Sequence, residues 1–336
     1  MPEFDAVDKR LLNLLQYEFP LVPQPFAALG EKLGLSEGEV LERTRRLRES
    51  RVLRHLSAIF DVYRVGYKSS LIAMAVPPQT IDRSAAVISA HPGVSHNYGR
   101  DHHFNLWFVL AIPRERDYEA TVSTLAEGAG ATRTLILPAK RLFKIDVRYD
   151  MVEGEGRSSD GPNQQHKRGP RRHLTEEDKA LVRALQEDLP LASRPFAELG
   201  RAIGLNEDRL IERAQAMLDE GLMRRFAGVL RHQEAGFLSN GMACWVVPEE
   251  RIEEVGQVLA ASPRVSHCYW RPTYPDWPYP LFAMVHARNR EQCESIVAGL
   301  SQETGITEYL ILFSTKEYKK ERVKYFVEQE AGALLP

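Results

Sequence analysis

Along the first fifty residues, apolar side chains recur at helical spacing. Over 5–16 (DAVDKRLLNLLQ), Val7, Leu11, Leu14 and Leu15 fall on one helical face. Phe26–Leu33 reads as a second short helix, with Gly34 where a C-cap belongs. Ser36 and Glu39 form a capping box for a third helix over about 37–50, which turns Val40, Leu41 and Leu47 inward. Three helices with a Gly-containing turn before the last make a helix-turn-helix pattern, and 52–61 (VLRHLSAIFD) alternates like a strand or wing. The period then changes. Strands are expected at 70–77, 93–99, 105–112 and 132–138, and helices at 80–91 and 114–127. That β-α-β-β-α-β order is the ferredoxin-like arrangement.

The whole pattern is written twice. PLVPQPFAALGEKLGL at 20–35 returns as PLASRPFAELGRAIGL at 190–205, and 20–60 against 190–230 gives 13 identities in 41 positions, Arg54/Arg224 among them. The offset of 170 grows to 171 at VSHNYGR/VSHCYWR and to 175 at TLILPAKRLFK/YLILFSTKEYK, as expected where a loop is longer in one copy. The second copy predicts helices at 176–187, 196–202, 207–219 (N-cap Asn206), 250–261 and 289–302, and strands at 241–248, 265–270, 281–287 and 307–313. The fold class is therefore α+β: a tandem duplication of a winged helix-turn-helix domain followed by a βαββαβ domain. The expected boundaries are 1–62 and 63–152 for the first copy and 173–232 and 233–330 for the second. A Gly-, Ser- and Pro-rich linker at 153–172 joins them.

Composition narrows the class. In 336 residues, 44 Lys+Arg against 46 Asp+Glu give net −2, which argues against a chain that lives by coating nucleic acid. Three cysteines without CxxC spacing argue against a disulfide scaffold or a cysteine-built zinc site. No signal-peptide core and no run of 18 apolar residues occurs, so the expected place is the cytoplasm, away from membrane.

His96, Tyr98 and Arg100 stand at i, i+2 and i+4, which in a strand points all three to one face; His267, Tyr269 and Arg271 repeat the pattern. A lone strand histidine is usually structural, but this triplet recurs with different neighbours, which favours a site.

Helix-turn-helix plus βαββαβ resembles the Lrp/AsnC regulators, whose second domain dimerises and binds a small ligand. SHNYGRDHHFNLWFVL and SHCYWRPTYPDWPYPLFAMVH look like the two subunit types of siroheme decarboxylase, fused head to tail. The resemblance implies removal of carbon dioxide from the C12 and C18 acetates of siroheme, giving 12,18-didecarboxysiroheme in heme d1 or alternative heme biosynthesis. Siroheme is then the substrate and brings its own iron tetrapyrrole, so no added cofactor is required. The two halves are expected to form a pseudo-dimer within one chain.

On that reading the protein must hold carboxylates and deliver a proton. Arginine suits the first task and histidine the second. The expected catalytic residues are His96, His267, Tyr98 and Tyr269. Arg100, Arg271, His102, His103, Trp277, Lys140, Lys144, Lys316 and Lys319 are expected to bind substrate. The lysine runs after each last strand read equally as solvated edges that block strand pairing. Trp107 and Phe108 read as core. One histidine axial to the substrate iron is compatible with imidazole chemistry, and the spacing assigns none.

The rival readings are a transcription regulator and a heme-binding sensor. Residues 36–51 carry five Arg and four Glu, net +1, whereas 206–221 carry two Arg and five acids, net −3. A phosphate-facing helix at net −3 is repelled, which argues against DNA binding. The sensor would use the same histidines and arginines.

Overall fold

The computed structural model describes residues 4–145, 173–230 and 239–327. The expected linker at 153–172 lies outside the described residues. The first half runs α1 (Ala6–Tyr17), α2 (Pro25–Leu33), α3 (Glu37–Glu49), β1 (Leu53–Phe60), β2 (Tyr67–Ala75), α4 (Ile81–Ala90), β3 (Val94–Arg100), β4 (Leu106–Pro113), α5 (Tyr118–Ala129), β5 (Arg133–Leu137) and β6 (Arg141–Ile145). The second runs α6 (Glu176–Leu185), α7 (Pro195–Ala202), α8 (Glu207–Asp219), β7 (Met223–Leu230), β8 (Ser239–Trp245), α9 (Ile252–Ala261), β9 (Val265–Trp270), β10 (Leu281–Ala287), α10 (Arg290–Thr304) and β11 (Tyr309–Lys320).

The local signals act as read. Gly34 closes α2 at φ +72°, and the Ser36/Glu39 capping box opens α3. α5 starts later than its periodicity suggested, because the Asp117 carboxylate accepts from Ala120 N and fixes the first turn there.

The two helix-turn-helix units share one apolar core, in which Leu11, Leu15, Phe26 and Leu56 meet Leu181, Leu185, Phe196 and Met223. Each unit supplies one wing strand, and the two pair with each other, β1 antiparallel to β7. The ladder slips at Arg54 and at Arg224, one bulge in each strand at the same position of the repeat. A bulge re-aims the side chain it carries.

The remaining nine strands follow the order β5-β2-β4-β3-β11-β8-β10-β9-β6. Both βαββαβ units keep the ferredoxin-like order of strands, and each sends its tail into the other. β11 pairs with β8 as far as Phe313, then with β3 from Ser314 to Lys320. β6, just past β5, pairs with β9 from Arg141 to Ile145. The lysine runs are therefore not solvated edges. They complete the ladder of the opposite half, where β3 and β9 would otherwise leave a row of unpaired backbone groups.

The result is two sheets face to face, with helices outside. Ile72, Met74 and Phe108 pack under α4 and α5. Alternate residues Leu71, Ala73 and Ala75 turn inward to meet Met242, Cys244, Phe282 and Leu312 of the other half.

Candidate active site between the two sheets

The His-x-Tyr-x-Arg triplets lie on β3 and on β9 with the residue that follows it, and they face away from the helices, toward the opposite half. Each strand is bulged at its Ser–His step: Val94 faces Leu110 while His96 faces Val109, and Val265 faces Val285 while His267 faces Met284. The next residue returns to the helical side, where Asn97 donates to the Ala85 carbonyl of α4 and the Cys268 thiol to the Gly256 carbonyl of α9. Each ring lies near-parallel to its tyrosine, with centroids 6.3 Å apart for His96–Tyr98 and 6.2 Å for His267–Tyr269. The guanidinium follows, with Arg271 4.5 Å from the Tyr269 ring centre and Arg100 5.8 Å from that of Tyr98.

The two arginines are the unusual feature. Arg100 is 6% exposed and Arg271 8%. Arg100 Nη1 donates to the Leu312 carbonyl at 2.6 Å, and Arg271 Nη1 to that of Leu137, both in the opposite half. Neither forms an ion pair among the described residues, and Nε of both is buried without a partner. Burial holds Arg100 down to about 10 and lowers Arg271 as well. Both act on the Cys244 thiol, which burial raises and the two cations lower, so the charges converge. A buried cation without a carboxylate is costly, which makes this pair the candidate anion-binding feature of the site.

The imidazoles are neutral. Burial, then Lys320 and Arg54, hold His96 down to about 4. Burial, then His286, His96, Arg271 and Lys144, hold His267 to about 3. Burial raises Tyr98, and Glu317 adds to it; burial raises Tyr269 too, so both phenols keep their protons at neutral pH. His96 Nδ1 lies 2.9 Å from Ser95 Oγ, and His267 Nδ1 lies 2.8 Å from Ser266 Oγ.

Arg54 was absent from the expected set. Its wing bulge brings its charge to bear on His96 and Tyr98, and it has no hydrogen-bond or ion-pair partner among the described residues. Its counterpart Arg224 is tied to Asp61 at 2.9 Å. Its place in the repeat was legible, its direction was not.

Other expected residues lie elsewhere. Lys144 Nζ donates to Ser262 O and Lys319 Nζ to Ser89 O, both at 2.8 Å, while Lys316 pairs with Asp82. Lys140 sits 5.2 Å from the Trp270 ring centre. Lys316 and Lys319, three residues apart, both reach α4 because the β11–β3 ladder slips at 314/316 and 317/319, and the β6–β9 ladder slips beside Lys144 in the same way. Trp277 is fully buried among Phe104, Trp107, Tyr279 and Phe282 and plugs the inter-half core. His102 accepts from Phe104 N at 3.0 Å and packs on Trp277, and His103 is exposed at the loop tip.

The model of the siroheme decarboxylase NirDL-like HTH domain matches residues 8–54 and 178–224, and that of the AsnC-like ligand binding domain matches 64–144 and 234–319. Siroheme decarboxylase of Hydrogenobacter thermophilus is 40% identical over 328 residues, covering 97% of this chain and 96% of its own. The beta subunit of the Methanosarcina barkeri enzyme is 40% identical over 147 residues, 44% of this chain and 97% of its own. The crystal structure of the siroheme decarboxylase NirDL in complex with an iron-uroporphyrin III analogue is 36% identical, with a TM-score of 0.76 over 97% of this chain and 96% of that one. Similarity of this degree along nearly the whole length shows that the chain belongs to the siroheme decarboxylase family.

Proposed function

We propose that this chain removes carbon dioxide from the C12 and C18 acetates of siroheme without oxidation, giving 12,18-didecarboxysiroheme, with the tetrapyrrole held between the two sheets. The observation that carries this is the pair of buried guanidinium groups, Arg100 and Arg271, that lack a carboxylate among the described residues. A substrate studded with carboxylates supplies what they lack, and charge-assisted bidentate contacts orient it.

The acetate C–CO₂⁻ bond breaks and leaves its electron pair on the methylene carbon. The conjugated macrocycle of the substrate delocalises that pair. One proton then adds to the carbon, so each turn converts an acetate and a proton into a methyl group and carbon dioxide. On this reading His96 and His267 handle the proton, and Tyr98 and Tyr269 offer O–H groups beside them. Preorganised arginine charge holds the remaining carboxylates through the step. The two halves work as a pseudo-dimer in one chain, in the cytoplasm; among the described residues no helix is long and apolar enough to cross a membrane.

A regulator reading is less favoured by the ion pairs of α3 and α8. Arg43 is engaged by Asp5 and Asp8, Arg48 by Asp188, and Arg213 by Asp178. Cations neutralised in this way leave little charge for phosphate.

The deciding experiment is anaerobic incubation with siroheme followed by mass spectrometry. Loss of two carboxyl groups as carbon dioxide is expected. Stable binding of unchanged siroheme would instead make the protein a sensor or carrier.

A further inference from the structure

The two ribbons differ at one position on the neighbouring strand. In the second half, Ser266 Oγ lies 2.8 Å from His267 Nδ1 and 2.6 Å from His286 Nε2. His286 sits on β10, and the equivalent of that position on β4 is Ala111: His286 pairs with Asn240, Ala111 with Ser69. In the first half the chain of contacts therefore ends at Ser95.

We infer that His286, Ser266 and His267 form a proton relay, so that the second half's ribbon delivers the proton and His286 reloads it. The inference rests on the decarboxylase reading above.

A serine hydroxyl has one proton to give. Bridging two neutral imidazoles, it donates to one and accepts from the other, so their tautomers are coupled. Burial holds His286 to about 4, with Lys320 adding to it, and His267 to about 3 beside His96, Arg271 and Lys144; both are neutral at neutral pH, as the bridge requires. In one arrangement His286 Nε2–H donates to Oγ, Oγ–H donates to His267 Nδ1, and His267 carries its proton on Nε2. A proton reaching the His286 ring then shifts each proton one step. The Nε2–H of His286 passes to Oγ, the hydroxyl proton passes to His267 Nδ1, and the His267 Nε2 proton bonds to the methylene carbon. The net change is one proton taken from water and one C–H bond formed. His286 acts through His267 and is a positioning residue in this scheme.

Three measurements test this on the full chain. First, ¹⁵N imidazole spectra of the siroheme-free protein should show the His267 Nδ1 signal shifting in His286→Ala, because the hydroxyl that donates to it loses the ring that polarises it; an unmoved His267 signal would overturn the coupling. Second, His286→Gln can still donate to Ser266 but cannot pass a proton on. Both it and His286→Ala should lose about 100-fold in kcat with KM within twofold. Third, free imidazole should restore part of the rate to His286→Ala and none to His286→Gln. A glutamine variant at full kcat would sink the relay, and so would siroheme affinity falling in step with rate. If the unaltered protein leaves siroheme intact, the decarboxylase reading fails, while the spectra still decide the coupling.

Discussion

Arg100 donates from Nη1 to the carbonyl of Leu312, 2.6 Å away in the other half, just before β11 leaves its own sheet to pair with β3. Arg271 makes the reciprocal contact with Leu137 at the end of β5. Each guanidinium is thus fixed where the opposite half crosses over. One donor of each is used on backbone, and the charge itself meets no carboxylate among the described residues.

Arg100→Met or Arg271→Met should therefore weaken siroheme binding by about 2 kcal/mol or more, roughly 30-fold. The empty protein should lose little stability, because the lost backbone hydrogen bond, about 1 kcal/mol, is offset by removal of a buried uncompensated charge. Absorbance titration and thermal melts read the two effects separately. A large drop in melting temperature with affinity unchanged would assign these arginines to the fold alone.

The wing arginines should part company. Arg54→Ala removes a cation with no partner among the described residues, and siroheme affinity should fall about tenfold with no change in melting temperature. Arg224→Ala breaks a half-shielded pair with Asp61, and should cost about 1 kcal/mol of stability with affinity within twofold.

Acid should destabilise the empty protein. Burial holds His91, His96 and His286 to about 4 and His267 to about 3, against 6.5 for a solvated imidazole. Between those values the unfolded chain binds more protons, so stability is full above pH 6.5 and falls as pH drops toward 4. Bound siroheme, through its carboxylates, should oppose that loss. The rise in melting temperature on adding siroheme should be larger at pH 5 than at pH 7.

Trp277→Ala should behave as a core deletion. Its ring fills the plug between Phe104, Trp107, Tyr279 and Phe282, and truncation should cost about 3–5 kcal/mol in urea unfolding.

With α3 and α8 tied into internal ion pairs, a gel shift on DNA upstream of the coding region should show no salt-sensitive specific complex. A tight one would restore the regulator reading.

Much of this was legible in the sequence. Periodicity, caps and the repeat located the helices, and i, i+2, i+4 spacing put His96, Tyr98 and Arg100 on one face. What could not be read was which strand lies beside which. The lysines past Leu137 and Phe313 follow the triplet-bearing strands in space, but register slips within the swapped strands turn Lys144 and Lys319 to the helices. Trp277 looked like a ligand platform, because a loop residue's burial depends on the half it plugs into. The bulges at Arg54 and Arg224 and the His286–Ser266 contact depend on cross-strand register, which composition and spacing do not encode.

The exchange of terminal strands has a consequence for inheritance. Residues 314–320 finish the ladder beside His96, and 141–145 finish the one beside His267, so a lesion in either tail is expressed at the opposite end of the gene product. Two polypeptides made by cutting the chain between them would each be born missing an edge that only the other carries. Such fragments would have to meet while folding, and neither could drift in sequence without the other answering.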